Sequence, residues 1–392
     1  MKVLTYTTLF PNVAQPDLGV FIYQRMAHFA AREKNQVVVV APIPMAPSWV
    51  TLPRWKKWAR IPAVEQRGNL RIYHPTFPMI PLISLPLLPL LMFLGSIRLV
   101  CELHREFEFD VIDAHFVYPD GLAGVLLGKV LKVPTVVSAR GTDINQYPMY
   151  SLIRPQIRYS LRNAAGAIAV CKALQDVMVS LAGPGHESRV IGNGVDTSRF
   201  FPVERKEARQ ELGLQSDAPI ATAVGALIPR KGYHVLIPAF AQIRDQFSNA
   251  HLYILGEGES RGELEQMIRA MGLAESVHLL GNCPNARLRY WYSAADVSCL
   301  VSSREGWPNV LLESMACGTP VVATGLWGTP EVITSPELGI MVEQTVPSVA
   351  AGLRSALERV WNREEIAARA RERDWNVVAM EVEEYLELIV KR

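Results

Sequence analysis

Two glutamates frame the most chemically suggestive stretch of this chain. Between residues 304 and 324 the sequence reads R-E-G-W-P-N-V-L-L-E-S-M-A-C-G-T-P-V-V-A-T, with Glu305 and Glu313 eight positions apart. Glu305, Gly306 and Pro308 belong to a loop. A short apolar helix over 310–317 follows, with Gly318 as its left-handed stop and a strand over 321–324. A loop feeding a helix N-terminus presents unpaired backbone N–H groups and a positive dipole end, which suits a phosphate near Asn309 and Val310. Glu313, in the first turns, can accept hydrogen bonds from ribose hydroxyls. Glu305, one loop earlier, is aimed where a sugar beyond the phosphates would lie. The plain structural reading is that helix N-termini favour acidic residues anyway, and that Val310, Leu311, Leu312 and Met315 are core whatever the function.

Four more positions could take part. Arg230-Lys231-Gly232 follows a strand over 220–224. Arg can fork across two phosphate oxygens and Lys acts as a point charge, so the pair suits a diphosphate; alone, such a pair is usually a solvated face. His115 stands at the C-terminal edge of a strand over 110–114, where open α/β sheets bind ligands. Arg140-Gly141-Thr142-Asp143 follows a strand over 135–138, and Asp143 there is equally a helix cap. Gly19 closes the loop after the first strand, with a ligand role and a turn-only role both open. No D-x-D triplet occurs, so no Asp pair is spaced to hold Mg²⁺ on phosphates. No metal and no other cofactor is expected.

The string E-G-W-P-N-V-L-L-E-S-M-A-C-G-T-P-V-V-A-T resembles the donor-binding motif of the retaining GT-B glycosyltransferases of family 4. The resemblance extends over nearly the whole chain and is weakest over 46–105. It implies a transferase moving a sugar from a nucleotide diphosphate sugar, UDP by family frequency, with retention and without metal. It assigns Arg230 and Lys231 to the diphosphate, Glu313 to ribose and Glu305 to the sugar hydroxyls, and the backbone near Gly281, Asn282 and Cys283 to the base. His115 would line the site near the transferred sugar, with Arg140 and Asp143 on the acceptor side. Two departures stand out: Arg140 sits where the motif often has His, and the loop at Gly19 has one glycine where the family's is glycine-rich. Competing readings are a GDP-mannose-dependent mannosyltransferase, a nucleotide-sugar epimerase, a phosphorylase and an inactive GT-B scaffold subunit.

The chain has 392 residues, 49% hydrophobic and 20% charged, enough for two cores. A net charge of +2 excludes a strong nucleic-acid field. Cys101, Cys171, Cys283, Cys299 and Cys317 show no zinc or redox spacing. With a strand-like start and no leader pattern, the expectation is a cytoplasmic protein. Strand and helix patterns alternate twice, predicting two Rossmann-like doubly wound α/β domains; the resemblance implies the GT-B arrangement, in which they face a cleft. The expected division is 1–200 and 201–375, and the resemblance implies that the last helix, 376–392, crosses back to the first domain. The segment 46–105 is unusual: Trp49, Arg54, Trp55, Lys56, Lys57, Trp58 and Arg60 mix aromatics with cations, and 77–94 carries no charge. Pro78, Pro81, Pro86 and Pro89 oppose one regular spanning helix. A proline-broken apolar surface lying on anionic lipid is expected instead. That placement points to the cytoplasmic face of the inner membrane and a lipid-linked saccharide acceptor.

Overall fold

A computed structural model describes residues 1–45, 57–79, 84–183, 185–214 and 217–392. Trp49, Arg54, Trp55 and Lys56 fall outside the described residues. The chain forms two compact units, 1–193 with 375–392, and 194–374. The backbone N–H of Val195 donates to the carbonyl of Arg373 at 3.0 Å, so residues 194–200 belong with the second unit.

The first unit contains β1 (Lys2–Tyr6), β2 (Gln36–Val40), β3 (Ile43–Met45), β4 (Val64–Arg67), β5 (Leu70–Tyr73), β6 (Thr76–Pro78), β7 (Val111–His115), β8 (Thr135–Ala139), β9 (Gly166–Ala169) and β10 (Ser188–Val190). Its main sheet runs β10-β9-β8-β7-β1-β2-β5-β4. All pairs are parallel except β4 with β5. The uninterrupted Val37–Val40 run is what a strand covered on both faces requires. Helices Val20–Ala30 and Trp375–Val390 cover one face over Val3, Val111, Val136 and Ile168. The last helix is docked by Tyr385, whose hydroxyl accepts from the Ala167 N–H at 3.0 Å, and by Glu383, which meets Arg32 at 2.8 Å. On the other face, helix Leu122–Leu131 rides so close that a Cβ on Gly124 would lie 2.8 Å from the Ala114 methyl.

The second unit contains β11 (Ile220–Val224), β12 (His251–Leu255), β13 (Val277–Gly281), β14 (Val297–Leu300), β15 (Val321–Thr324) and β16 (Gly339–Val342), in the order β13-β12-β11-β14-β15-β16, all parallel. Each sheet therefore has a point where chain order reverses: between β1 and β7 in the first, between β11 and β14 in the second. The strand ends flanking such a point form a crevice suited to ligands.

Several elements differ from the pattern-based expectation. The amphipathic, charge-scattered sequence over 348–370 reads as one helix, and the structure has two, Val346–Glu358 and Arg363–Arg371. Asn362 caps the second through the Glu365 N–H, and Trp361 Nε1 donates to the Ala356 carbonyl. The hairpin β4–β5 and the strands β3, β6 and β16 were not expected; β4 and β5 are short, and Gly68 at φ 58° turns between them.

Candidate functional site

The reversal point of the second sheet gathers most of the expected donor residues. The loop 225–232 after β11 presses against the end of β14: a Cβ on Gly232, at φ 72°, would sit 1.9 Å from the Val301 carbonyl oxygen. Only glycine tolerates that backbone and that approach. The next residues lock the two loops together. Ser303 N–H donates to the Arg230 carbonyl at 2.9 Å, and Arg230 Nη1 donates to the Arg304 carbonyl at 2.7 Å. Lys231 Nζ donates to Glu305 Oε1 at 2.6 Å, and Arg230 Nη1 lies 3.6 Å from Glu305 Oε2. Arg230, Lys231 and Glu305 thus form one cluster, two cations on one carboxylate, with the Lys231 and Glu305 side chains only 13% and 11% exposed.

The loop carrying Glu305 and Gly306 continues through Pro308 into helix Asn309–Ala316. Pro308 offers no side-chain cap; Asn309 N–H donates to the Trp307 carbonyl and Leu311 N–H to the Pro308 carbonyl, each at 3.0 Å, so Val310 carries the first-turn N–H that a phosphate would meet. Glu313 is half-buried on this helix and accepts from the Tyr292 hydroxyl at 3.1 Å. Burial pushes its carboxyl up to about 7, against the pull of the Tyr292 hydrogen bond and of Arg199. Gly281 ends β13 at φ 76° and its carbonyl accepts from Gly256 N–H at 2.8 Å. Asn282 is exposed and Cys283 half-buried beyond it, at the same strand-end face of the sheet.

The reversal point of the first sheet gathers a different set. His115 is fully buried, and both ring nitrogens are taken: Nε2 lies 3.0 Å from Asp113 Oδ2 and Nδ1 lies 2.7 Å from Arg140 Nη2. Arginine can only donate. Nδ1 is therefore the acceptor, and Nε2–H donates to Asp113. Burial, with Arg140 and Arg25 against it, lowers the imidazole to about 4 despite Asp113, so His115 is neutral at pH 7. His115, expected near the transferred sugar, has no exposure in this structure and both its ring nitrogens are paired, Nδ1 with Arg140. Arg140 also donates to Asn193 Oδ1 at 2.9 Å and lies over the Phe21 ring. Asp143 is buried and accepts the N–H groups of Val117, Arg140 and Gly141, which spends it on holding the turn. Gly19 precedes helix Val20–Ala30 at φ 63°, and a Cβ there would lie 2.0 Å from the Leu9 carbonyl oxygen. The chain's own packing thus accounts for that glycine.

Three residues of this cluster escaped sequence reading: Arg25, Asp113 and Asp120. Arg25 is buried with Nη2 3.5 Å from Asp113, and a cation within an apolar helical pattern gave no sign of that partner. Asp120 lies in the Y-P-D-G turn after β7, and its place beside a strand end was the available signal.

Paired cations and a carboxylate-bearing helix thus meet at the reversal point of a parallel sheet, an arrangement suited to an anionic ligand. Comparison with known proteins identifies the family. Residues 204–373 match the family model for glycosyl transferases group 1, and residues 19–199 that for glycosyltransferase family 4. An uncharacterized glycosyltransferase of Methanocaldococcus jannaschii is 31% identical over 275 residues, covering 67% of this chain and 70% of that protein. The chain belongs to the family 4 glycosyltransferases. TuaC of Bacillus subtilis, a glycosyltransferase assigned to teichuronic acid biosynthesis, is 27% identical over 371 residues, 93% of this chain and 91% of its own. Among solved structures, Anabaena HepE in complex with UDP-glucose has a TM-score of 0.70 at 22% identity over 99% of each chain, which shows the GT-B fold.

Proposed function

We propose that this protein transfers a hexosyl group, with retention, from a UDP-sugar to a lipid-linked saccharide in surface polysaccharide assembly, without a metal ion. The observation that carries the donor half is the convergence of Arg230 and Lys231 on Glu305 beside the N-terminus of helix Asn309–Ala316. Two cations neutralised by one carboxylate leave a net positive charge for a diphosphate. An arriving diphosphate competes with Glu305 for both cations and frees that carboxylate for the sugar hydroxyls. As the acceptor oxygen bonds to the anomeric carbon, the bond to the diphosphate breaks and its electron pair goes to the phosphate oxygen. The acceptor proton passes to that leaving phosphate. Arg230, Lys231 and the helix N–H groups stabilise the charge that develops there. Glu313 accepts from the ribose hydroxyls. HepE's complex with UDP-glucose and TuaC's assignment to a surface polymer favour these classes of donor and acceptor over GDP-mannose or a free nucleotide-sugar epimerase.

The lipid half rests on an exposed apolar patch in the first unit. Leu87, Leu90 and Leu94 project from the start of helix Leu88–Phe107, and Met149 and Leu152 are 81% and 68% exposed. Gln156 Nε2 donates to the carbonyls of Pro86 and Leu152, both at 2.9 Å, which joins the two parts. Arg154 is exposed beside them. The segment Leu85–Phe107 is long and apolar enough to cross a membrane. However, Met92, Ser96, Val100 and Leu103 are buried in the unit, which supports a surface role rather than a spanning one. The test is thermal shift with UDP-, GDP- and ADP-sugars, followed by transfer to a lipid extract. A UDP-sugar at 100 times its dissociation constant should add about 2.7 kcal/mol. Stabilisation by GDP-sugars alone would redirect the donor, and turnover without lipid would redirect the acceptor.

A further inference from the structure

We propose that Asp120 binds a hydroxyl of the acceptor at the polar end of an apolar pocket in the first unit, so that the acceptor is an amphipathic molecule with a sugar hydroxyl joined to hydrocarbon. The inference rests on the transferase reading above and adds the residue and pocket that select the acceptor. The cavity measures about 320 Å³ and lies at the ends of β1 and β2. Ile43, Phe77, Leu88 and Met92 form its apolar wall. Asp120 forms part of its polar wall and has no solvent exposure. One carboxylate oxygen, Oδ1, accepts the Thr8 N–H. The other, Oδ2, has no hydrogen-bond partner among the described residues. Buried carboxylate oxygens are nearly always paired, so an unpartnered one on a residue beside a cavity is a candidate partner for a ligand donor. The turn 116–121 fixes this geometry: Gly121 N–H closes onto the Phe116 carbonyl at 2.7 Å, and Phe116 is held at φ 77°.

The titratable groups around Asp120 are Asp143, Tyr6 and Tyr147. Burial, helped by Asp143, pushes the Asp120 carboxyl up to about 7, despite hydrogen bonding from the Thr8 backbone and side chain and from its own N–H. A hydroxyl donating to the ionised form makes a charge-assisted bond, the stronger kind. Leu88 and Met92 of the apolar wall belong to helix Leu88–Phe107, whose start also carries the exposed Leu90 and Leu94.

The experiment is calorimetric titration with octyl β-D-glucoside below its micelle concentration, and with free glucose. Wild type should bind octyl glucoside saturably and glucose at least tenfold more weakly. Asp120→Asn keeps an acceptor for Thr8 N–H but removes the charge and turns the free end into a donor. Leu88→Trp fills the apolar wall. Each should weaken octyl glucoside binding at least tenfold and leave the UDP thermal shift unchanged. Wild-type affinity should also fall as pH drops through about 7, and Asp120→Asn should lose that dependence. Equal binding by Asp120→Asn, or equal binding of glucose and octyl glucoside, overturns the proposal. Failure of the donor reading shows separately, as no UDP shift in wild type.

Discussion

Lys231 and Arg230 hold Glu305 in the free protein, and that pairing makes mutants of the three residues behave differently. Arg230→Ala and Lys231→Ala should each lower turnover about 10²–10³-fold, as loss of one donor to a developing oxyanion does in comparable sites. Near-normal turnover in both would remove the diphosphate assignment. Glu305→Ala removes the internal competitor for the cations. UDP should then bind as well as or better than in wild type, while sugar transfer falls; weaker UDP binding with intact transfer would contradict the competition argument. Because the cations replace a metal in this scheme, excess chelator should leave turnover unchanged. Glu313 sets a pH dependence. Its carboxyl is raised from 4.5 to about 7 in the folded chain, so the fold holds the proton more tightly than the unfolded chain. Its contribution to stability is present at low pH and is lost as pH rises through about 4.5 to 7. Ribose binding needs the ionised form, so UDP affinity should fall as pH drops from 8 to 6 and become flat in Glu313→Gln, measured by calorimetry. His115 runs the other way: held neutral with its imidazole lowered from 6.5 to about 4, it costs stability as pH falls across that interval.

At the scale of elements, the strand-end loops do the positioning, and their close approaches can be tested. Gly232→Ala forces a Cβ to 1.9 Å from the Val301 carbonyl at a positive φ. The backbone of β14's exit must then move, and with it the loop carrying Glu305. The fold should lose about 1–3 kcal/mol, read in urea melts, and UDP affinity should drop with it; an unchanged melt would show that the loop yields freely. These same elements explain what the sequence disclosed. An uninterrupted apolar run such as 37–40 names a buried parallel strand by itself, and the alternation with helices gives two Rossmann-like sheets. The paired loops at Arg230 and Glu305 were legible because each carries charge beside a strand end. Short strands such as β3 and β6 were not, because three residues set no period. The break at 359–362 was hidden because charged, amphipathic sequence continues through it, and only the Asn362 cap reveals it. For His115, the place at a strand end was readable and Asp113 sits two residues earlier on the same strand, but Arg140, which takes the other nitrogen, follows β8 and is 25 residues away. Long-range partners of a buried polar residue leave no local spacing in the chain.

For the whole molecule, the proposed lipid-linked acceptor requires the protein to reach a membrane. Leu87, Leu90, Leu94, Met149 and Leu152 are exposed together in the first unit, bridged through Gln156. Apolar side chains exposed as a group mark an interaction surface more often than scattered ones do. Cations near lipid headgroups add about 1 kcal/mol each, and Arg154 is exposed beside the patch. Liposome co-sedimentation should therefore recover the protein with anionic vesicles and much less with neutral ones. Salt should weaken the charge contribution, since exposed charges are screened beyond about 10 Å at 0.1 M, but leave an apolar remainder. Leu90→Glu with Leu94→Glu should remove that remainder, because both side chains already face solvent and their replacement leaves the core of the first unit intact. Arg154→Glu should lower binding only at low salt. The double variant should keep its UDP thermal shift and lose transfer to vesicle-borne acceptor while retaining transfer to a short-chain, soluble one. Equal sedimentation of wild type and double variant with anionic vesicles would sink the membrane role of this patch and leave the donor site untouched.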